Sequence, residues 1–228
     1  MTDGHHHEAA HGHLSPDVLA SEQDWDERYG SKGPIWSGEP NPQLVAEASE
    51  LAPGAALDVG CGEGADAIWL ARRGWQVTGL DISGVALSRA AAAADRAGSD
   101  VAERITWLRE DIAAWAPPAA GYDLVSAQFM QLPEPARSAL HRQLVAAVGP
   151  GGVLLVVGHS VSDLHTGAQR PPNPERFFAA TDIAAQLNQE EWDILTAEER
   201  PREARDPDGH PINVQDEVFT ARRRPEAE

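Results

Sequence analysis

Short apolar runs alternate with segments of helical periodicity over residues 54–160. Five of these runs predict strands: GAALDVG, WQVTGLDIS, ITWLRED, GYDLVSAQFM and GVLLVVGHS. Strands that alternate with helices are joined by right-handed crossovers and form a parallel sheet covered on both faces. Two further strand-like runs, WDILTAEERPR and DEVFTARRR, are joined directly by the turn-rich DPDGHP. Strands joined in this way are antiparallel, so we predict that the sheet ends in a hairpin.

Helices are predicted between the strands. GADAIWLARRG reads as a helix closed by Gly74, and SGVALSRAAAAADRAG as a helix with Ser83 at its N-cap and Gly98 at its C-cap. EPARSALHRQLVAAV reads as a helix that stops at Gly-Pro-Gly-Gly, with His141 on its surface. A short helix is expected after Asp182. The predicted fold class is α/β, a doubly wound, mostly parallel seven-stranded sheet with a C-terminal antiparallel hairpin.

Three segments are predicted along the chain. Residues 1–22 form a polar terminus without apolar periodicity, which is typical of a disordered tail, and we predict no metal site among its histidines, His5, His6, His7, His11 and His13. Residues 23–50 carry Trp25, Tyr29 and Trp36 around a Gly/Pro-rich turn, which favours a helical lid. The alternative is that these aromatic side chains belong permanently to the core. Residues 51–224 form the predicted sheet domain.

Composition and charge exclude several classes of function. With a formal net charge of -18 and an isoelectric point near 4.8, the chain lacks the cationic surface of a nucleic-acid groove. Cys61 is the only cysteine, so no intramolecular disulfide is possible. No stretch approaches the roughly 20 apolar residues of a membrane span, and the N-terminus does not resemble a signal peptide. We therefore expect a cytoplasmic protein that contacts neither nucleic acid nor membrane.

The loop after the first strand is the main candidate for ligand binding. Gly60, Gly62 and Gly64 follow Asp58 in this loop, which we call the glycine loop (residues 60–64). In a doubly wound sheet, ligands bind at the carboxyl ends of the strands beside the first strand. Glycines allow a ligand to approach the backbone closely, and the N–H groups at the start of the following helix then face it.

The spacing of these residues fits two ligand classes. The segment from Gly60 to Ala65 satisfies the dinucleotide fingerprint G-x-G-x-x-G/A, with Asp81 as the acidic residue for the ribose. The segment from Asp58 to Gly64 equally matches the D/E-x-G-x-G-x-G motif of class I S-adenosylmethionine-dependent methyltransferases. Either match is of moderate specificity by itself.

Three features favour the methyltransferase. Asp58 ends a buried strand, where a carboxylate needs a partner; the ammonium of a methionine moiety supplies one, whereas a pyrophosphate would be repelled. Asp111 follows the third strand, where a carboxylate can accept a hydrogen bond from an adenine amino group. The terminal hairpin also differs from the dinucleotide fold, whose second half repeats the first.

The successive segments LDVGCGEGADAIWLARRGWQVTGLDIS, REDI, YDLVSAQF and GPGGVLLVV resemble the motifs of class I methyltransferases, which have a Rossmann-like fold. The leading WDERYGSKGPIWSGEPNPQLV resembles the N-terminal lid of small-molecule members, including the thiopurine and tellurite-resistance types. The resemblance implies S-adenosyl-L-methionine as cofactor and a small molecule as methyl acceptor.

The resemblance also implies roles for individual residues. Asp81 is expected to bind the ribose hydroxyls and Ile82 to pack on the adenine, while Asp111 and Ile112 contact the adenine amino group and ring edge. The backbone of the glycine loop, including Cys61, lines the methionine portion. We add two residues to this set: Gln128 at the end of the fourth strand, and Trp36 of the lid, whose aromatic face attracts a sulfonium.

Methyl transfer from a sulfonium is an in-line displacement on an activated carbon, so orientation and exclusion of water can supply most of the catalysis. A general base is needed only for an acceptor that is protonated. His159, at the end of the fifth strand, is the candidate base; His165 is expected to be exposed. Phe129 and Met130, after the fourth strand, are candidates for lining the acceptor pocket.

Two other functions are compatible with the sequence. An NAD-dependent oxidoreductase would bind NADH at the same loop, and a non-catalytic binding module would hold a nucleotide without turnover. Cofactor preference distinguishes the first of these from a methyltransferase, and turnover distinguishes the second.

Overall fold

The computed structural model describes residues 21–31, 33–168, 170, 172–206 and 208–225. The predicted tail over residues 1–22 therefore lies outside the described residues except for Ser21 and Glu22. These two residues begin the first helix, where the Ser21 hydroxyl and the Asp24 carboxylate form a capping box.

The described chain folds as an alternating series of strands and helices. The strands are β1 (Ala55–Val59), β2 (Gln76–Asp81), β3 (Ile105–Arg109), β4 (Tyr122–Gln128), β5 (Val148–His159), β6 (Trp192–Arg205) and β7 (Pro211–Arg223). The α-helices are α1 (Glu22–Gly30), α2 (Pro42–Ala48), α3 (Ala65–Arg72), α4 (Gly84–Ala97), α5 (Ser99–Ala102), α6 (Ala136–Ala147) and α7 (Ala180–Gln186). Two 3₁₀ turns, Val161–His165 and Pro174–Arg176, lie between β5 and α7.

All seven strands form one sheet in the order β3-β2-β1-β4-β5-β7-β6. The first five strands are parallel, and β7 runs antiparallel to both β5 and β6. This topology confirms the predicted fold class. Because the order reverses at β1, the carboxyl ends of β1, β2 and β4 meet at one edge and leave a crevice for a ligand.

Two boundaries differ from the sequence predictions. The segment Gly-Pro-Gly-Gly does not separate α6 from the fifth strand but lies inside β5, which already starts at Val148 and pairs there with Tyr122. A register shift between the two strands accommodates the extra residues: Tyr122 pairs with Val148 and Leu124 with Val153, and the chain between them passes through a left-handed Gly151. The hairpin is also longer than expected, since β7 starts at Pro211. Pro201 is compatible with β6 because this strand forms the edge of the sheet.

The core lies on both faces of the sheet, because successive side chains of the central strands point to opposite sides. Leu57 and Val59 belong to the apolar cluster on one face, with α6 and α7, and Ala56 belongs to the cluster on the other face, with α2 and α3. Ser83 caps α4 as predicted by accepting a hydrogen bond from the N–H of Ala86 at 3.1 Å. Gly98 follows the last residue of α4, again as predicted.

The prediction that His141 lies on the surface is wrong. Its side chain is only 6% exposed, and its ring meets the edge of the Phe178 ring with centroids 5.5 Å apart. The segment that returns from β5 to α7 covers this face of α6, and burial lowers the pKa of His141 to about 4. Phe178 itself packs into the core, against Gly158 of β5.

Gly64, at the N-cap of α3, is fixed by both conformation and space. Its φ of +84° is left-handed, and a Cβ there would lie 2.7 Å from the Trp107 ring and 2.8 Å from Cβ of Ala90. Gly151 has a similar φ of +79°, but a Cβ there would meet no atom within 4 Å. A side chain at Gly151 would therefore introduce backbone strain alone, whereas a side chain at Gly64 would introduce both strain and steric overlap.

We expect Gly151→Ala to lower the free energy of unfolding by about 1–2 kcal/mol, because it introduces only left-handed strain. Gly64→Ala should lower it by about 2–4 kcal/mol, since overpacking adds to the strain. Urea denaturation of the two variants tests this difference. Equal losses would contradict close packing of α3 against Trp107 and Ala90.

Candidate active site

The glycine loop turns sharply at the end of β1 through three left-handed positions. Gly60, Gly62 and Gly64 have φ values of +70°, +53° and +84°. The N–H groups of Gly60 and Cys61 both donate to the carbonyl of Leu80 in β2, at 2.8 and 3.0 Å. The loop is thereby attached to the neighbouring strand.

Three side chains from outside the loop cover it. A Cβ on Gly60 would overlap the thioether of Met130, which follows β4. A Cβ on Gly62 would lie 3.0 Å from the Tyr29 hydroxyl and 3.4 Å from Nε1 of Trp36. Tyr29 and Trp36 of the predicted lid segment, together with Met130, which the sequence suggested for the acceptor pocket, thus lie over the loop.

Asp58 is a buried carboxylate with an unsatisfied oxygen. The residue is 2% exposed, and its Oδ2 has no hydrogen-bond partner within the described part of the chain. Burial raises the pKa of Asp58 well above its usual range, and the nearby carboxylates of Asp66 and Asp81 raise it further. A cation bound beside this oxygen would satisfy it and reverse the shift.

Asp66, in the first turn of α3, is the second acidic group below the loop. Burial raises the pKa of Asp66 to about 6, although the N–H of Asn41 donates to its Oδ1 at 2.6 Å. Asp58, Asp66 and Asp81 therefore concentrate negative potential at the carboxyl end of β1, which favours a cation and disfavours a pyrophosphate.

Asp81 ends β2, and backbone groups fix its carboxylate. Oδ2 accepts from the N–H of Gly62 at 2.8 Å, and Oδ1 accepts from the N–H of Ser83 at 2.9 Å. Each carboxylate oxygen can accept a second hydrogen bond, so the group remains able to bind two hydroxyls. Burial raises the pKa of Asp81, and the following Ile82 is half-buried.

The residues expected around the adenine lie in different environments. Asp111 is exposed, and its Oδ1 accepts from the N–H of Ala113 at 2.9 Å. The side chain of Ile112 is buried in the core.

Gln128 ends β4, where its Oε1 accepts from Asn41 at 3.0 Å and its Nε2 donates to Ser126 at 2.7 Å. Burial raises the pKa of the Cys61 thiol, which makes this cysteine a poor nucleophile.

His159 ends β5 and stacks on Phe129, with ring centroids 4.2 Å apart. Its Nδ1 is buried and has no partner within the described residues. Burial lowers the pKa of His159 to about 3, with smaller contributions from the charges of Arg170 and Arg202. The imidazole is therefore neutral at pH 7 but is a weak base. His165 is exposed, as expected.

Sequence reasoning missed Glu63, Asp66 and Asn41 as parts of this site. Asp66 carried one signal, since an acidic residue in the first turn of a helix beside a glycine loop lies close to any ligand there. Glu63 and Asn41 carried no such signal, because their partners are distant in sequence. Glu63 accepts hydrogen bonds from residues 35 and 36, and Asn41 contacts residues 66 and 128.

Comparisons with known proteins agree with this geometry. Residues 56–152 match the family described as a methyltransferase domain. An uncharacterised methyltransferase of Mycobacterium tuberculosis is 41% identical over 112 residues, which cover 49% of this chain and 53% of that protein. The chain thus spans about half the length of this relative and of its counterpart in Mycobacterium bovis.

Thiocyanate methyltransferase 1 of Brassica oleracea is 30% identical over 168 residues, which cover 72% of this chain and 70% of that protein. The chain belongs to the class I S-adenosylmethionine-dependent methyltransferases. A solved structure, described for the conversion of a disulfide bond into a thioacetal group during echinomycin biosynthesis, has the same fold. It is 25% identical, with a TM-score of 0.69 over 91% of this methyltransferase and 94% of that chain.

The residues of this methyltransferase fit S-adenosylmethionine, the cofactor of the family. The unsatisfied oxygen of Asp58 suits an ammonium, the carboxylate of Asp81 suits a pair of hydroxyls, and the glycine loop leaves no room for a Cβ at Gly60. The helices within the described ranges include none that is long and apolar enough to cross a membrane.

The raised pKa of Asp66 predicts a pH-dependent stability. In the unfolded chain Asp66 ionises near its ordinary pKa of about 4, whereas in the folded protein it stays protonated up to about 6. Because the folded state holds this proton more tightly than the unfolded state, the contribution of Asp66 to the free energy of unfolding is fully present below about pH 4. It is lost as the pH rises through about 6. In the absence of cofactor, Asp66→Asn should gain stability relative to the wild type by on the order of 2 kcal/mol between about pH 4 and pH 7.

Urea denaturation of both proteins across this pH range measures the difference. The Asn side chain retains the oxygen that accepts from Asn41, so the hydrogen bond is conserved in the comparison. A difference in unfolding free energy that is independent of pH would contradict the electrostatic description of this site.

Proposed function

We propose that this chain transfers the methyl group of S-adenosylmethionine to a small-molecule acceptor. The observation that carries the proposal is the buried carboxylate oxygen of Asp58 next to the glycine loop, which no described residue satisfies with a hydrogen bond. An ammonium group at this oxygen would pair with it directly or through water. A dinucleotide would place a pyrophosphate beside the same carboxylate, so the geometry disfavours the oxidoreductase alternative.

The binding residues orient the cofactor from three strand ends. Asp58 holds the ammonium, Asp81 accepts hydrogen bonds from the ribose hydroxyls, and Asp111 with Ile82 contacts the adenine. When bound, the cofactor supplies a methyl carbon that a positive sulfur activates for in-line displacement. Catalysis by proximity consists of holding this carbon at the correct distance and angle to the acceptor.

Tyr29 and Trp36 exclude water from the loop. Tyr29 is 3% exposed, and burial raises the pKa of its phenol to about 12, so the hydroxyl stays neutral. Nε1 of Trp36 donates to this hydroxyl at 3.1 Å. The edge of Trp36 that carries Nε1 is nearest to Gly62, and the Arg28 guanidinium lies 5.7 Å from the centroid of the Trp36 ring. A sulfonium that reached this ring would gain a cation–π interaction of roughly 0.5–2 kcal/mol.

The acceptor is proposed to bind beside Phe129, Met130 and His159, at the carboxyl ends of β4 and β5. His159 is neutral, and its buried Nδ1 has no hydrogen-bond partner among the described residues, so an acceptor bound against this ring would satisfy it. Because its pKa is near 3, it would remove a proton poorly. This favours an acceptor that is already nucleophilic at neutral pH, and the relative that is named a thiocyanate methyltransferase is consistent with a small molecule of this kind.

A thermal-shift comparison tests the choice of cofactor. S-Adenosylhomocysteine at 100 times its dissociation constant should add about 2.7 kcal/mol of stability, whereas NADH should add none. Transfer of a radiolabelled methyl group to a panel of small nucleophiles, thiocyanate among them, then tests turnover. Stabilisation by NADH instead would contradict the proposal, and binding without transfer to any acceptor would favour the binding module.

Asp81→Ala should weaken binding of S-adenosylhomocysteine by tenfold or more, because it removes two hydrogen bonds to a charged group, each contributing roughly 1.5–3 kcal/mol. Asp123→Ala is the matched control: the Asp123 carboxylate also accepts from a backbone N–H, that of Ala55 at 2.8 Å, but at the opposite edge of the sheet. Calorimetry should show normal affinity for the control. Equal affinities for the two variants would contradict the ribose assignment.

A further inference from the structure

Glu63 is the one charged residue of the glycine loop, and its carboxylate faces the N-terminal segment. Oε2 accepts hydrogen bonds from the N–H groups of Ile35 at 2.9 Å and Trp36 at 3.1 Å. Oε1 pairs with Nη1 of Arg89 at 2.8 Å. The side chain of Glu63 is only 12% exposed, so these interactions are partly shielded from water.

Arg89 contacts the same N-terminal segment at two further backbone positions. It lies in α4, and Nη1 donates to the carbonyl of Gly33 at 3.1 Å, while Nη2 donates to the carbonyl of Tyr29. The Glu63–Arg89 pair therefore holds backbone groups of the segment that bears Tyr29 and Trp36.

Packing alone does not fix this part of the segment. Trp36 is 49% exposed, and Gly33, Pro34, Gly38 and Pro40 interrupt regular structure around it. Nε1 of the Trp36 indole donates to the Tyr29 hydroxyl, and the backbone N–H of Trp36 donates to Glu63. An exposed side chain on an irregular backbone takes its position from such polar contacts.

The two ends of the segment are attached elsewhere. Near its start, the Asp26 carboxylate accepts from the Ser83 hydroxyl at 2.5 Å and from the N–H of Val85 at 3.2 Å. At its end, Asn41 donates to Asp66 and Gln128. Glu63 thus holds the middle of a segment whose ends are independently anchored.

We propose that Glu63 is a positioning residue for the cofactor site, which holds Tyr29 and Trp36 over the glycine loop. The same loop that contacts the cofactor then also fixes the cover above it. This role rests on the proposed function, since the cover matters only if a cofactor binds beneath it. When only a fraction of the molecules has the cover in place, the apparent dissociation constant rises by the inverse of that fraction.

Glu63→Ala should bind S-adenosylhomocysteine about tenfold more weakly than the wild type, as expected for loss of hydrogen bonds to a charged group. Glu63→Gln retains one carbonyl oxygen and should give a smaller loss. Calorimetry measures these affinities. The matched control is Asp193→Ala, which should bind normally. This substitution breaks an ion pair between Asp193 of β6 and Arg224, the residue after β7, in which both side chains are about half exposed.

Amide hydrogen exchange by NMR separates positioning from a general loss of stability. In both Glu63 variants, the amides of Ile35 and Trp36 should exchange faster, while core amides such as that of Val125 keep their wild-type protection.

The outcomes distinguish this inference from the proposed function. A wild-type protein that does not bind S-adenosylhomocysteine contradicts the proposed function and, with it, this role. A wild type that binds, together with Glu63 variants of unchanged affinity, overturns the role of Glu63 alone. Faster exchange spread uniformly over the sheet in Glu63→Gln also overturns it, because that result indicates general destabilisation.

Discussion

The carboxylate of Asp58 sets the main physical constraint on this fold. It lies at the centre of the sheet, 2% exposed, with one oxygen unsatisfied by the described residues and with Asp66 and Asp81 nearby. Such an arrangement is costly unless the groups are protonated or a cation binds. The glycine loop follows Asp58 directly, and the strand order brings the end of β2 beside it. Under the proposed function, the ammonium of the cofactor binds at this oxygen and satisfies it.

Much of the fold followed from local patterns. Alternating apolar and polar runs predicted the seven strands, and Ser83 and Gly98 predicted the limits of α4, because caps act within a few residues. Non-local packing decided the features that were predicted wrongly. His141 occupies a helical position that is polar by type, but the chain that folds back from β5 buries it. Gly-Pro-Gly-Gly carries a turn signal, yet pairing of the residues on both sides of it with β4 includes it in β5 as an irregularity of the strand.

The candidate site also combines features that local sequence patterns predicted with features that depend on non-local contacts. Motif spacing placed Asp58, Asp81 and the glycine loop together, because strand ends converge in a parallel sheet. The cover depends on contacts of residues 26–41 with Glu63, Ser83 and Gln128, which lie at or after the ends of three different strands, and no local pattern encodes these contacts. Orientation of the reactants and exclusion of water can supply most of the catalysis of methyl transfer. A weakly basic His159 is therefore compatible with this reaction.

The most direct test of this account compares two ligands that differ in the amino-acid portion. Calorimetry would measure S-adenosylhomocysteine and 5′-methylthioadenosine, which lacks the ammonium, against the wild type and Asp58→Asn. If Asp58 binds the ammonium, the wild type prefers S-adenosylhomocysteine, and the variant loses about tenfold or more of this preference with unchanged affinity for 5′-methylthioadenosine. An equal preference in both proteins would contradict the central role of Asp58.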